Sequence, residues 1–209
     1  MGLPEPRELE QWLDDVRRRV RDGEDTDAAD QALAYLEADP YYFRSGYARA
    51  KLARSLAQAS LPDADRARAR RYVVDAVAGR KHCNQRELGQ LAGAVANNAL
   101  RAALRAALRA QLHASDHSTA RRALHTLRGV RSPGLAAADV QAAHDLVLVD
   151  LRRTTWTPPS VARVADWLWS PEWEAELREI ARHHGPDRAG AKHLIEAADR
   201  RRLRRRPGH

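Results

Sequence analysis

The stretch that decides the fold reads Leu100-Arg-Ala-Ala-Leu-Arg-Ala-Ala-Leu-Arg-Ala-Gln-Leu112. Leucine recurs at every fourth position, and residues three or four apart share one face of a helix, so the leucines predict a buried stripe. Arg101, Arg105 and Arg109 form a row beside it, and no acidic residue occurs between Leu88 and Ser115. The stretch therefore predicts an amphipathic helix with an apolar side and a cationic side.

The same helical periodicity extends through most of the 209 residues, with almost no alternating strand pattern. Start and stop signals, such as Asn84 with Glu87 and Ser170 with Pro171, divide the chain into about ten helices. We predict an all-α protein, either an irregular HEAT-like α-solenoid or a multi-helix array. One domain is expected over residues 1–199, with a possible internal boundary at the proline-containing linker 154–160.

Charge is distributed unevenly along a chain whose net charge is +8. Residues 40–131 contain 18 basic and five acidic side chains, a net charge of +13, whereas residues 1–39 contain five basic and 12 acidic side chains, a net charge of −7. Residues 200–209 begin with six arginines among seven residues and predict a basic flexible tail. Nucleic acid, another protein or the acidic ends of this chain are the three candidates to face the basic middle.

The single cysteine, Cys83, excludes an intrachain disulfide and favours a reducing compartment. The N-terminal residues do not resemble a signal peptide, and the apolar run Leu146–Val149 is far too short to span a membrane. We expect a cytoplasmic protein with no membrane segment. Cys83 follows Lys81 and His82, which suggests either a reactive thiol of lowered pKa or a structural thiol in a turn.

Residues 100–130 combine an apolar helix, a turn that contains Asp116, and a second helix that begins Thr119-Ala-Arg-Arg-Ala-Leu124 and ends at Gly129. This segment resembles a HEAT-type repeat, whose turn often holds an aspartate and whose second helix often begins near an arginine. The resemblance implies stacked helix pairs that offer an extended binding surface and need no cofactor.

Two groups of residues are candidates for partner binding. At positions 167 and 169 two tryptophans lie about 200° apart on a helix, so at most one can face the core squarely. The other either contacts a partner or packs beneath the proline-rich linker. With the arginines of the basic middle, the predicted partner-binding residues are Arg66, Arg70, Arg101, Arg105, Arg109, Arg121, Arg122, Trp167 and Trp169.

An aromatic run in residues 41–49 allows two interpretations. Its rings could stack on bases while its arginines hold phosphates, as in single-strand binders, or they could fill a junction between helices. The run comprises Tyr41, Tyr42, Phe43, Arg44, Tyr47 and Arg49.

Three patterns bear on chemistry. His113 and His117 flank Asp116 at close spacing but span a turn. A second pattern resembles the order of metal ligands in HD-type phosphohydrolases, in the sequence His113, His144-Asp145, then Asp150 or Asp199. Asp166-Trp167 resembles the Trp and Asp that DNA glycosylases built on HEAT-like repeats use beside a lesion.

None of these patterns is complete, so we predict no catalytic residue, metal or cofactor. The sequence favours a non-catalytic binding module, an adaptor or inhibitor, for an acidic partner protein. The alternative is a protein that binds DNA or RNA through residues 40–131, and a metal-dependent phosphohydrolase ranks third.

Overall fold

The computed structural model describes residues 5, 7–23, 26–41, 44–111, 118–130, 137–152 and 159–205. Within these ranges the chain forms eleven α-helices and no β-strand, which confirms the predicted all-α class. The chain folds as two compact units, Met1–Ser132 and Pro133–His209.

The first unit is a two-layer array of helices. Helix α1 packs on α3, α3 on α5 and α5 on α7, while α2 packs on α4 and α4 on α6. Contacts between α1 and α2, α4 and α5, and α6 and α7 join the two rows. The helices in its described residues are α1 (Leu9–Asp22), α2 (Thr26–Ala38), α3 (Ser45–Gln58), α4 (Asp63–Val77), α5 (Gln85–Ala94), α6 (Asn98–Gln111) and α7 (Ser118–Gly129).

Leucine fills the interior of this array, and α6 follows its predicted pattern. Leu100, Leu104 and Leu108 are each at most 2% exposed, which confirms the buried stripe. Leu112 lies outside the described residues. Asn97 marks the start of the helix, because its side-chain oxygen accepts a hydrogen bond from the backbone N–H of Leu100 at 2.8 Å.

A local start signal is also confirmed at α5. The Asn84 side chain accepts a hydrogen bond from the backbone N–H of Arg86, and α5 begins at Gln85, directly after Asn84. Glu87 does not reach back to complete a capping box. Its buried carboxylate instead accepts a hydrogen bond from Arg54 of α3 at 2.8 Å, so it joins two helices.

Helices α5 and α7 cross at unusually close range because glycines meet there. A Cβ on Gly129 would lie 2.5 Å from the carbonyl oxygen of Gly89, and a Cβ on Gly93 would lie 2.8 Å from that of Gly129. No real Cβ approaches a backbone atom so closely. The Gly89/Gly93/Gly129 crossing therefore places backbone directly against backbone.

The second unit contains four helices in its described residues: α8 (Ala137–Leu151), α9 (Pro159–Leu168), α10 (Pro171–Arg182) and α11 (Arg188–Arg205). Helix α8 packs on α9 and α11, and α10 packs on α11. Gly190 permits the close approach of α11 to α8, since a Cβ there would lie 2.9 Å from the Cβ of Leu151. Because α8 shares these contacts, the division between the units falls at 132/133, before the predicted boundary at 154–160.

Helix α11 includes the first part of the predicted tail, and residues 206–209 lie outside the described residues. Helix α11 continues to Arg205, and Arg202 donates hydrogen bonds to both carboxylate oxygens of Glu174 in α10. Residues 200–205 are therefore helical. A contact from 28 positions away supplies the carboxylate that the local sequence of arginines lacks.

The glycine crossing predicts an effect opposite to helix propensity. Gly129→Ala should lower the free energy of unfolding by roughly 1–3 kcal/mol, because overpacking against a backbone carbonyl outweighs the gain of about 1 kcal/mol from alanine. Gly46→Ala is the matched control, since its Cβ would meet only an arginine side chain at 3.7 Å. Urea unfolding measures both, and equal effects of the two substitutions would contradict the close crossing.

Candidate partner-binding surface

Helices α6 and α7 pack together and form the most one-sidedly charged part of the molecule by sequence. They contain six arginines and no aspartate or glutamate. On α6 the row beside the buried leucines runs from half-buried Arg101 and Arg105 to exposed Arg109. We call the outward side of these two helices the α6–α7 surface.

The side of α6 opposite the leucines consists of small residues. Ala102 and Ala106 are exposed, and Ala99 and Ala110 lie exposed one turn before and after them. The arginine row borders this face along one edge, at about 100° per residue around the helix. A partner could therefore approach the helix backbone closely while its acidic groups meet the arginines.

Two of the seven arginines predicted to bind a partner also have a structural role. Arg122 of α7 donates from Nε to the carbonyl oxygen of Val77, the last residue of α4, at 2.9 Å. Arg70 donates from Nη1 to the carbonyl oxygen of Val95, the C-cap residue of α5, at 3.4 Å. Carbonyls at a helix C-terminus lack partners within the helix and carry partial negative charge, so a cation there is favourable.

The remaining predicted arginines lie on α4 and α7. Arg66 is exposed on α4, and Arg121 is half-buried on α7 beside Arg122. The structure thus brings Arg101, Arg105, Arg109, Arg121 and Arg122 onto one pair of packed helices. Arg66 and Arg70 lie on α4, which packs against both.

Carboxylates of the acidic N-terminal segment form ion pairs with cations at and within α3 and α4. Asp14 of α1 lies 3.9 Å from Lys51, and Glu37 of α2 lies 2.8 Å from Arg68. Arg44 pairs with Glu10, and Arg68 also pairs with Asp30. The N-terminal helices therefore offset part of the positive charge of residues 40–131.

A buried ion pair links α2 to α3. Arg49 of α3 lies 3.2 Å from the carboxylate of Asp39, and the side chains are 6% and 11% exposed. Nη1 of Arg49 also donates to the carbonyl oxygen of Pro40 at 2.6 Å. The second oxygen of Asp39 accepts hydrogen bonds from both the backbone N–H and the Nδ1 of His82.

These contacts revise the interpretation of the aromatic run. Tyr41 and Tyr47 are 86% and 54% exposed, so neither ring fills a helix junction. The arginines of the run are committed to ion pairs, Arg44 with Glu10 and Arg49 with Asp39. Tyr42 and Phe43 lie outside the described residues.

The only cysteine lies beside this ion pair and favours the structural interpretation. Burial raises the pKa of the Cys83 thiol, which opposes formation of the reactive thiolate. Tyr72 donates to the carbonyl oxygen of His82 at 3.1 Å, and this bond helps hold the turn that carries the thiol.

In the second unit the two candidate tryptophans are both half-buried. Trp169 donates from Nε1 to Glu174 at 3.2 Å, contacts the edge of Trp173 and lies beneath the guanidinium of Arg202. The Arg202 and Arg178 guanidinium groups lower the pKa of Glu174 to about 2, so it stays ionised near neutral pH. Trp169 thus belongs to an intramolecular cluster, and Trp167 stays a predicted partner contact.

The residues of the phosphohydrolase-like pattern point in different directions. His144 is buried and stacks on Trp173 with ring centroids 4.0 Å apart and planes 4° from parallel, whereas Asp145 is exposed. Among the described residues, no group of three or more His, Cys, Asp or Glu side chains is placed to hold a metal ion. His113, Asp116 and His117 lie outside the described residues.

Asp166 of the glycosylase-like pair is exposed on α9, next to half-buried Trp167. In the part of the chain that the structure describes, no helix is both long enough and apolar enough to cross a membrane.

No protein-family model matches this chain, and no curated protein or solved structure matches it either.

The sequence did not predict the Asp39–Arg49–His82 cluster. Its three members are separated by 10 and 33 positions, and no spacing rule connects them. One local signal was present, because Asp39 precedes a proline, which disfavours the helical conformation at the residue before it.

The capping role of Arg122 predicts a loss of stability on its removal. Arg122→Ala should lower the free energy of unfolding by about 1–3 kcal/mol, because the carbonyl oxygen of Val77 loses a charged donor. Arg66→Ala removes the same charge at an exposed position and should change it by less than about 0.5 kcal/mol. Urea unfolding compares the two variants, and equal losses would remove the structural role.

Burial of His144 predicts that the second unit is less stable in acid. Desolvation lowers the pKa of folded His144 below 6.5, so the unfolded chain binds the proton first and stability falls as the pH drops below about 6.5. The backbone carbonyl of Leu168 and the carboxylates of Glu176 and Asp145 oppose this shift without cancelling it. Tryptophan fluorescence follows the transition, since four of the five tryptophans lie between positions 156 and 173.

His144→Gln is the control for this acid sensitivity. It removes the titrating ring, so its melting temperature should change less than that of the wild type between pH 7 and pH 5. Glu174 stays ionised over that range because its pKa is about 2. Parallel pH profiles of the two proteins would contradict the assignment to His144.

Proposed function

We propose that this protein is a non-catalytic helical-repeat binding module, an adaptor or inhibitor, that holds an acidic partner protein on its α6–α7 surface. The observation that carries the proposal is the presence of six arginines and no carboxylate on two packed helices whose leucines point inward. A stacked helix array presents such a surface on a rigid base and needs no cofactor.

Binding fits the polar side chains better than catalysis does. Two of the residues that the sequence suggested for chemistry have packing partners: His144 stacks on Trp173, and Cys83 is half-buried beside Tyr72 with a raised pKa. Asp39 and Arg49 neutralise each other. A cytoplasmic location agrees with the single reduced cysteine and is part of the proposal.

A protein partner is favoured over nucleic acid by the geometry of the cations. A phosphate groove was expected to use all seven arginines in one continuous row at backbone spacing. Arg70 and Arg122 instead direct guanidinium nitrogens at helix C-termini, which leaves a shorter basic patch next to exposed alanines. DNA or RNA is the alternative partner, and the charge of residues 40–131 is the observation in its favour.

Reversal of the α6 row tests the proposal. Arg101→Glu, Arg105→Glu and Arg109→Glu together should abolish binding of a fluorescein-labelled glutamate-rich peptide at low salt, because attraction becomes repulsion. A triple Arg→Gln variant should also lose binding, and it keeps the helix free of new charges if the reversed protein is unstable. Fluorescence anisotropy measures binding, and circular dichroism checks that each variant is folded.

A charge-matched triple reversal in the second unit is the control. Arg163, Lys192 and Arg200 are exposed there, and their replacement by Glu changes the net charge by the same amount. This control should retain most peptide binding. Tight binding of duplex or single-stranded oligonucleotides that requires the α6 row and falls steeply with salt would instead favour the nucleic-acid alternative.

A further inference from the structure

Tyr41 is the most exposed large aromatic side chain among the described residues, with 86% of its surface accessible. Its ring lies 5.9 Å from the ring of His82. The side chain of His82 is itself 65% exposed. The two rings together form a small aromatic platform on the first unit, which we call the Tyr41–His82 platform.

Contacts of the largely buried Asp39 and Arg49 hold His82 and the backbone before Tyr41 in place. His82 is held twice by one oxygen of Asp39, through Nδ1 at 2.7 Å and through its backbone N–H at 3.1 Å. Arg49 anchors Asp39 and also binds the carbonyl oxygen of Pro40, the residue before Tyr41. The rings are therefore placed by a framework that is nine-tenths buried at Arg49 and Asp39.

The backbone at the platform is strained. Asp39 has a φ of +48°, in the left-handed region that non-glycine residues rarely occupy. Such a conformation is unfavourable in isolation and persists only where the surroundings enforce it, as the pair with Arg49 does here. The backbone just before Tyr41 is therefore held in place at Asp39 and Pro40, which reduces the conformational freedom that this segment loses on binding.

The charges next to the platform identify the kind of partner. The turn after α4 and the first residues of α5, residues 79–86, contain Arg80, Lys81 and Arg86 and no carboxylate. Arg80 pairs with Asp75 of α4 at 2.7 Å and Lys81 donates to the carbonyl oxygen of Glu37, whereas Arg86 is exposed at the start of α5. The turn begins at Gly79, where a Cβ would lie 2.8 Å from a guanidinium nitrogen of Arg122 in α7, and it includes His82 of the platform. This basic turn thus connects the N-terminal part of α7 to the two rings.

We propose that the Tyr41–His82 platform is an anchor site for a large apolar side chain of the acidic partner. The inference rests on the proposed function and adds the class of ligand: a protein segment that combines carboxylates with one bulky apolar residue. The carboxylates meet Arg86 and the arginines of the α6–α7 surface. The apolar residue covers the ring of Tyr41, which otherwise stays in water.

Two synthetic peptides test this assignment. One is a fluorescein-labelled peptide of glutamate and alanine, and the other has the same composition except for a single central tryptophan. The wild type should bind the tryptophan peptide more tightly, and Tyr41→Ala should weaken that binding roughly tenfold while leaving the first peptide unchanged. Thermal unfolding should be unaffected, because the ring is exposed.

Tyr47→Ala is the matched control. Tyr47 is also an exposed tyrosine on the first unit, but its ring contacts Lys51. The Tyr47→Ala variant should therefore bind both peptides as the wild type does. Equal affinity of the wild type for the two peptides, or equal weakening by Tyr41→Ala and Tyr47→Ala, would overturn the anchor assignment.

The outcomes separate this inference from the proposed function. Failure of both peptides to bind the wild type, or binding that survives reversal of the α6 row, would count against the acidic partner itself. Binding of both peptides without dependence on Tyr41 would refute the anchor alone. A single-stranded oligonucleotide that binds more tightly than either peptide and requires Tyr41 would assign the platform to base stacking.

Discussion

The buried pair of Arg49 and Asp39 joins three segments of the first unit that are distant in sequence. Removing two charges from water is expensive, so such a pair persists only when both groups are well surrounded by partners. Arg49 meets Asp39 and the carbonyl oxygen of Pro40, and Asp39 in turn holds His82. The end of α2, the first turns of α3 and the turn before α5 are positioned by this one group of contacts.

Arginine performs different tasks at different depths of this molecule. Arg49 is buried in an ion pair, Arg70 and Arg122 bind carbonyls at helix C-termini, and Arg109 is exposed on α6. The guanidinium group suits all of these positions because it stays charged and offers five donors in a fixed plane. The net charge of the sequence therefore overstates the charge that a partner meets, and the α6–α7 surface is smaller than the basic segment from which it was predicted.

The sequence predicted those features that depend on neighbouring residues. Leucine spacing identified the buried face of α6, and Asn84 and Ser170 were recognised as N-terminal caps because a cap bonds within its own helix turn. Features that depend on distant residues have no such local signal. The helical state of residues 200–205 involves Glu174, and the division at 132/133 follows from the packing of α8 on α9 and α11.

The glycine contact between α5 and α7 also bears on mechanics. Neighbouring helices in a layered array usually slide slightly as side chains change rotamer, and the summed displacements let the array stretch or twist under load. Where the carbonyl oxygen of Gly89 faces the Cα of Gly129, no rotamer can absorb such a shift. The Gly89/Gly93/Gly129 crossing therefore resists sliding of α5 against α7, and elastic deformation of the first unit is expected at its other helix interfaces.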